Sequence, residues 1–212
     1  MRILIFAMVS MLLAGIASGQ VTNSEKEEMN VELEKSISKK PQQSQVSDIS
    51  SLMTDLENFE LLRHSFQSDS SRVRFIALLS PTCPMCRRGF SEMQKVLNNI
   101  SDDHLRAYIV WLPILQGDDR ASAVERSTEF SDERLTYFWD GERLTGDLWQ
   151  RILDIGVIAW DVYFLYGPDV QWGKEPTIPE FWMHQLGGEV KAPYLDEEEF
   201  ELKVKELLRK IK

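Results

Sequence analysis

Thiol and imidazole groups are scarce in this chain, which holds two cysteines and three histidines in 212 residues. Two cysteines at one spacing make half of a zinc-finger-type site, and no second pair exists to complete it. Basic charge is short as well. Against 34 acidic residues stand 24 lysines and arginines, a formal net charge of −10, whereas a nucleic-acid surface needs a concentrated basic face. Beyond the first sixteen residues no apolar run approaches the roughly 20 residues of a membrane-spanning helix, and no internal repeat is visible.

What the chain does contain falls into three parts. Residues 1–19 carry Arg2, an apolar run from Ile3 to Ile16 and the small residues Ala17-Ser18-Gly19, the form of a secretory signal peptide. No cysteine lies near this segment, so a bacterial lipoprotein anchor is not expected. Residues 20–47 are polar and charged, with Pro41-Gln42-Gln43-Ser44-Gln45 offering no core, and read as a flexible tether. Residues 48–212 hold most of the apolar content and should form one folded domain.

Within that domain the stretch RVRFIALLSPTCPMCRRG, Arg72 to Gly89, carries the chemistry. Phe75–Leu79 reads as a buried strand broken by Ser80-Pro81-Thr82. Pro84 suits a first helical position, and Phe90, Met93, Leu97 and Ile100 follow at helical spacing. Cys83 should therefore cap a helix and Cys86 lie in its first turn. Free N–H groups and the positive end of the helix dipole, with Arg87 and Arg88, favour a thiolate at Cys83; such sites bring a cysteine from about 8.5 to roughly 3.5–7.5. Cys86, two residues further on, is placed to resolve a mixed disulfide formed at Cys83. A structural disulfide here would close too small a loop to restrain the unfolded chain.

This strand, turn and Cys83-Pro84-Met85-Cys86 helix resemble the thioredoxin superfamily. Proline directly after the first cysteine is similar to glutaredoxins, and Thr82 stands where thioredoxin has tryptophan. The resemblance implies an α/β three-layer sandwich with a central mixed sheet flanked by helices, and thiol–disulfide oxidoreductase activity with Cys83 and Cys86 catalytic. It also implies a cis-proline opposite the cysteines, exposing backbone to substrate. By order along the chain that place falls near Ala159-Trp160-Asp161, which has no proline, so Pro179 is the candidate substrate-binding residue. The buried acid that assists proton transfer in thioredoxins has no counterpart on the strand before the cysteines, which carries Arg72 and Arg74. Ser80 stands where a peroxiredoxin-like site wants threonine.

The remaining pattern supplies a helix from Ser50 to Gln67 on the stripe Leu52, Leu56, Phe59, Leu62 and Phe66, a strand within Leu105–Leu115, a helix over Ala121–Phe130 and a short strand Leu135–Trp139. A helix near Gly146–Ile155 follows, then strands Val162–Tyr166 and Phe181–Leu186 forming an antiparallel hairpin. Their connection is long for a hairpin, which marks it as a candidate functional loop. Asp196 caps a final helix whose acidic start and basic end complement its dipole.

The expectation is an exported, monomeric thioredoxin-like enzyme, secreted or periplasmic, acting on protein or small-molecule disulfides and thiols. It needs no cofactor, binds no nucleic acid and spans no membrane once its signal is removed. Two alternatives stand beside it. One is a copper-binding chaperone holding Cu(I) on Cys83 and Cys86 with His184 or Met85; the other is a non-catalytic interaction domain of the same fold.

Overall fold

A computed structural model describes residues 52–188 and 190–211, all within the unit Ser44–Lys212. The signal segment, the tether and the first two residues expected in the opening helix lie outside the described residues.

Six strands form one sheet: β1 (Met53–Asp55), β2 (Val73–Leu79), β3 (Leu105–Trp111), β4 (Leu135–Trp139), β5 (Val162–Tyr166) and β6 (Phe181–His184), in the spatial order β1-β4-β3-β2-β5-β6. The first four run parallel, β5 runs antiparallel to β2, and β6 runs antiparallel to β5. Among the described residues five helices cover it: α1 (Glu60–Ser68), α2 (Pro84–Asn99), α3 (Arg120–Ser127), α4 (Leu144–Leu153) and α5 (Glu197–Leu208). This is a thioredoxin-like α/β sandwich, with the βαβ unit β2-α2-β3 at its centre and the antiparallel hairpin completing the sheet.

β2 is buried along its whole length, and strand alternation divides it between two cores. Phe75, Ala77 and Leu79 face the layer of α2, α3 and α5, where they meet Phe90, Met93, Ala123, Phe200 and Val204. Ile76 and Leu78 face the layer of α1 and α4, against Leu62, Phe66, Leu148 and Trp149. Arg74, fully buried at the start of the strand, donates to the carbonyls of Phe66, Val170 and Gly167 and lies over the Phe66 ring.

The expected helix from Ser50 is not continuous. Met53–Asp55 pairs in parallel with Tyr137–Trp139, and the helix starts at Glu60, whose N–H is held by Asn58 Oδ1 at 2.9 Å. Leu52 and Leu56 fit a helical stripe by spacing, but the unpaired edge of β4 offers a full set of backbone partners, and Leu56 N–H completes them by donating to Trp139 O at 2.8 Å. The strand expected within Leu105–Leu115 runs Leu105–Trp111, and Pro113 two residues on cannot donate to a ladder.

The long connection between β5 and β6 is built into the core. Trp172 stacks on Phe66 with centroids 3.5 Å apart and on Phe59 at 5.4 Å, and its carbonyl accepts from Gln67 Nε2 at 2.7 Å. No helix among the described residues is long and apolar enough to cross a membrane.

Candidate functional site

Strand β2 ends at Leu79, and Ser80-Pro81-Thr82 turns the chain into α2. Cys83 is the N-cap, with extended backbone (φ −68°, ψ 124°), and Pro84 opens the helix, the arrangement expected from a proline whose missing N–H costs nothing there. One carboxylate holds the turn. Asp118, in the loop after β3, accepts from Ser80 Oγ at 2.7 Å, from the N–H and hydroxyl of Thr82, and from the N–H groups of Ile114 and Leu115. Partial burial pushes its carboxyl up, but the donors from Thr82, Leu115 and Ser80 outweigh that and hold it below the usual range.

The two cysteines are not joined to one another in this structure. Cys86 is completely enclosed while Cys83 keeps 6% of its surface, so an incoming partner meets Cys83 first. Cys86 Sγ accepts from Ser80 N–H at 3.3 Å. Burial and the nearby carboxyl of Asp161 push the Cys86 thiol far above its ordinary value.

Asp161 is the functional residue missed from the sequence. A carboxylate oxygen of Asp161 and the two sulfurs lie within 4.8 Å of one another, all three residues buried. Asp161 precedes β5, the strand antiparallel to β2, and so occupies the place where the resemblance calls for proline. Every peptide bond among the described residues is trans. Asp161 instead turns the chain with a left-handed backbone, φ 53°, a conformation aspartate tolerates better than most residues. Its N–H donates to Leu78 O at 2.7 Å and its carbonyl accepts from Gln185 N–H at 2.9 Å. Being two residues before Tyr163, it shares that residue's face of the sheet, the face of α2. Tyr163 Oη donates to Asp161 Oδ1 at 2.7 Å, and Gln185 Nε2 reaches Tyr163 Oη at 3.2 Å. Burial raises the Asp161 carboxyl, partly offset by the donors from Tyr163 and Cys86. Order along the chain is the signal for it, since that order leads to Ala159-Trp160-Asp161, where the acid stands in place of a proline.

Pro179 does not belong to this cluster. In the sheet register Phe75 lies opposite Leu165 and Leu165 opposite Phe181, while Leu78, Val162 and His184 line up at the cysteine end. Pro179 precedes Phe181, so it sits at the far end of the sheet. The copper ligand set with His184 is not assembled either. The His184 ring is spent on the segment that follows β6: Nδ1 accepts from Leu186 N–H at 3.0 Å, which makes Nε2 the donor to Ala192 O at 3.1 Å. Burial lowers its pKa. Met85 points outward, 45% exposed, and the other two histidines, His64 and His104, are exposed.

No family model and no curated protein matches this chain. Among solved structures, a thioredoxin-like protein in its oxidised form aligns at 18% identity over 66% of this chain and 80% of its own, with a TM-score of 0.46. A secreted Mycobacterium tuberculosis disulfide oxidoreductase, described as homologous to DsbE of E. coli, aligns at 13% over 66% and 86%, TM-score 0.44. The exposed lipoprotein thioredoxin of Streptococcus pneumoniae aligns at 13% over 67% and 90%, TM-score 0.43. At these values the likeness concerns the course of the chain alone, and the chemistry rests on this chain's own cysteines and the acid beside them.

Proposed function

We propose that this protein is an exported thioredoxin-like thiol–disulfide oxidoreductase, with Cys83 as the exchanging sulfur and Cys86 as the resolving one. The observation that carries the reading is the meeting of two free cysteines and a buried carboxylate at the mouth of α2, with only Cys83 open to a partner. As the N-cap of α2, Cys83 presents its sulfur at the mouth of the helix. Its thiolate form attacks one sulfur of a substrate disulfide, forming a mixed disulfide and releasing the other substrate sulfur as a thiolate. Cys86 then loses its proton, for which the Asp161 carboxylate is the acceptor in reach, and attacks Cys83 Sγ. The Cys83–Cys86 bond forms, the mixed disulfide breaks, and the second substrate thiol leaves: the pair is oxidised by two electrons and the substrate reduced. Run backwards, the same steps oxidise a dithiol. The substrates are therefore protein or small-molecule disulfides and thiols. The apolar segment Ile3–Ile16 followed by Ala17-Ser18-Gly19 supports export to an oxidising compartment.

The test is turnover of a model disulfide by the full chain. Cys83→Ser should abolish exchange, whereas Cys86→Ser should accumulate a mixed disulfide that is visible by mass. Unimpaired turnover in Cys83→Ser overturns the reading. Retention of all biological activity with both cysteines replaced points to an interaction domain instead.

A further inference from the structure

The trio of Cys83, Cys86 and Asp161 presents two sulfurs and one carboxylate oxygen converging from two elements, α2 and the entry to β5. We propose that the reduced protein holds a zinc ion on Cys83 Sγ, Cys86 Sγ and the Asp161 carboxylate, with the fourth position facing the opening beside Cys83. The inference rests on the same three side chains as the exchange reading but needs only their reduced state, so either can fail without the other.

Three features support a metal site. Zinc takes thiolate sulfur at about 2.3 Å and carboxylate oxygen at about 2.0–2.2 Å, and the trio's ligand atoms already lie within 4.8 Å of one another. Ligand-holding partners are in place as well. Tyr163 Oη and Gln185 Nε2 donate to Asp161 Oδ1, at 2.7 and 3.4 Å, and Ser80 N–H donates to Cys86 Sγ; such outer contacts orient ligands in metal sites. Finally, the charge is accommodated. Two thiolates and a carboxylate around a dication leave one negative charge, at the positive end of a sixteen-residue helix.

The donor set also selects the ion. Two soft sulfurs disfavour magnesium and calcium, and a hard carboxylate as third ligand suits zinc, which takes sulfur and oxygen together, better than Cu(I), which takes soft ligands. Binding releases the thiol protons, and that of Asp161 where it is protonated, to solvent. It is exclusive with oxidation, because a Cys83–Cys86 disulfide withdraws both thiolates. Zinc would therefore hold the pair reduced and out of exchange until removed.

The test is titration of the reduced full chain with zinc against a chromophoric chelator, and with cobalt(II) as a spectroscopic substitute. One zinc per chain is expected, together with a sulfur-to-cobalt charge-transfer band and the intense visible bands of tetrahedral cobalt, all lost once the pair is oxidised. Tyr163→Phe should weaken zinc about 10–100-fold, as loss of an outer partner does, and Asp161→Asn should weaken it more. A weak octahedral cobalt spectrum, zinc uptake equal in the oxidised protein, or unchanged affinity in a folded Asp161→Asn overturns the proposal. If Asp161→Asn does not fold, the native cobalt spectrum and Tyr163→Phe decide it. Disulfide turnover by metal-free protein, measured on the same preparations, separates this outcome from that of the exchange reading.

Discussion

The hydroxyl of Tyr163 lies against Gly89 of α2, in the space a side chain would fill. A Cβ at Gly89 would overlap that hydroxyl and come within 2.7 Å of Tyr163 Cζ and 2.6 Å of Gln185 Nε2. One missing methyl group thus lets a fully buried tyrosine reach from β5 to the Asp161 carboxylate beside the cysteines.

Gly89→Ala is accordingly expected to do more harm than helix propensity suggests. Alanine favours a helix by roughly 1 kcal/mol over glycine, but overpacking a closed core costs about 1–3 kcal/mol, and the displaced Tyr163 releases Asp161. Denaturant unfolding should show a net loss of stability, and single-turnover kinetics a slower resolution of the mixed disulfide than its formation.

Arg74 separates stability from chemistry, since it lies at the end of β2 away from the cysteines. Arg74→Met keeps the apolar stem over Phe66 but leaves the carbonyls of Phe66, Val170 and Gly167 without their donor. At about 1–3 kcal/mol for each buried group left unpaired, a total near 3 kcal/mol is a conservative expectation, and the melting temperature should fall by roughly 6–12 °C. Disulfide exchange at a temperature where the variant remains folded should be unchanged.

The difference in access between the sulfurs is directly measurable. With the reduced native protein, iodoacetamide should label Cys83 first and leave Cys86 unmodified, as read by peptide mass; in denaturant both should label together. Equal labelling of the folded protein would contradict the enclosure of Cys86.

His184 gives a pH signature whose sign follows from burial. Its folded pKa lies below the ordinary 6.5, so the unfolded chain takes up the proton first. The stability that neutral His184 contributes through Leu186 N–H and Ala192 O is fully present above pH 6.5 and is lost as pH falls through the folded value. Urea midpoints between pH 7 and pH 5 should decline more steeply for the native protein than for His184→Gln, which has no proton to gain.

Much of this molecule follows from local pattern. The unbroken apolar run Phe75–Leu79 leaves a strand no face for water, Pro84 can stand only at a helix start, and Phe200, Val204, Leu207 and Leu208 recur at a spacing that makes one buried stripe of α5. Such features depend on residues near one another in the chain. Local pattern does not suffice where partners come from afar: Met53–Asp55 is a strand because β4 has a free edge, not because of its own residues, and Trp172 of the β5–β6 connection packs into the core because it finds Phe66.

The amino-acid sequence by itself determined the cysteine pair, its seat at the start of a helix, and the layered α/β class, because each is dictated by spacing, proline geometry and apolar periodicity over a few turns. Only the tertiary structure decided what stands opposite the cysteines. Asp161 lies 75 positions beyond Cys86 and reaches it through the antiparallel return of β5 along β2, which also carries Pro179 to the far end of the sheet and leaves the His184 ring engaged with Leu186 and Ala192. A carboxylate acquires its role from the low-dielectric space it enters and the sulfurs it meets there, and neither is encoded in its immediate neighbours.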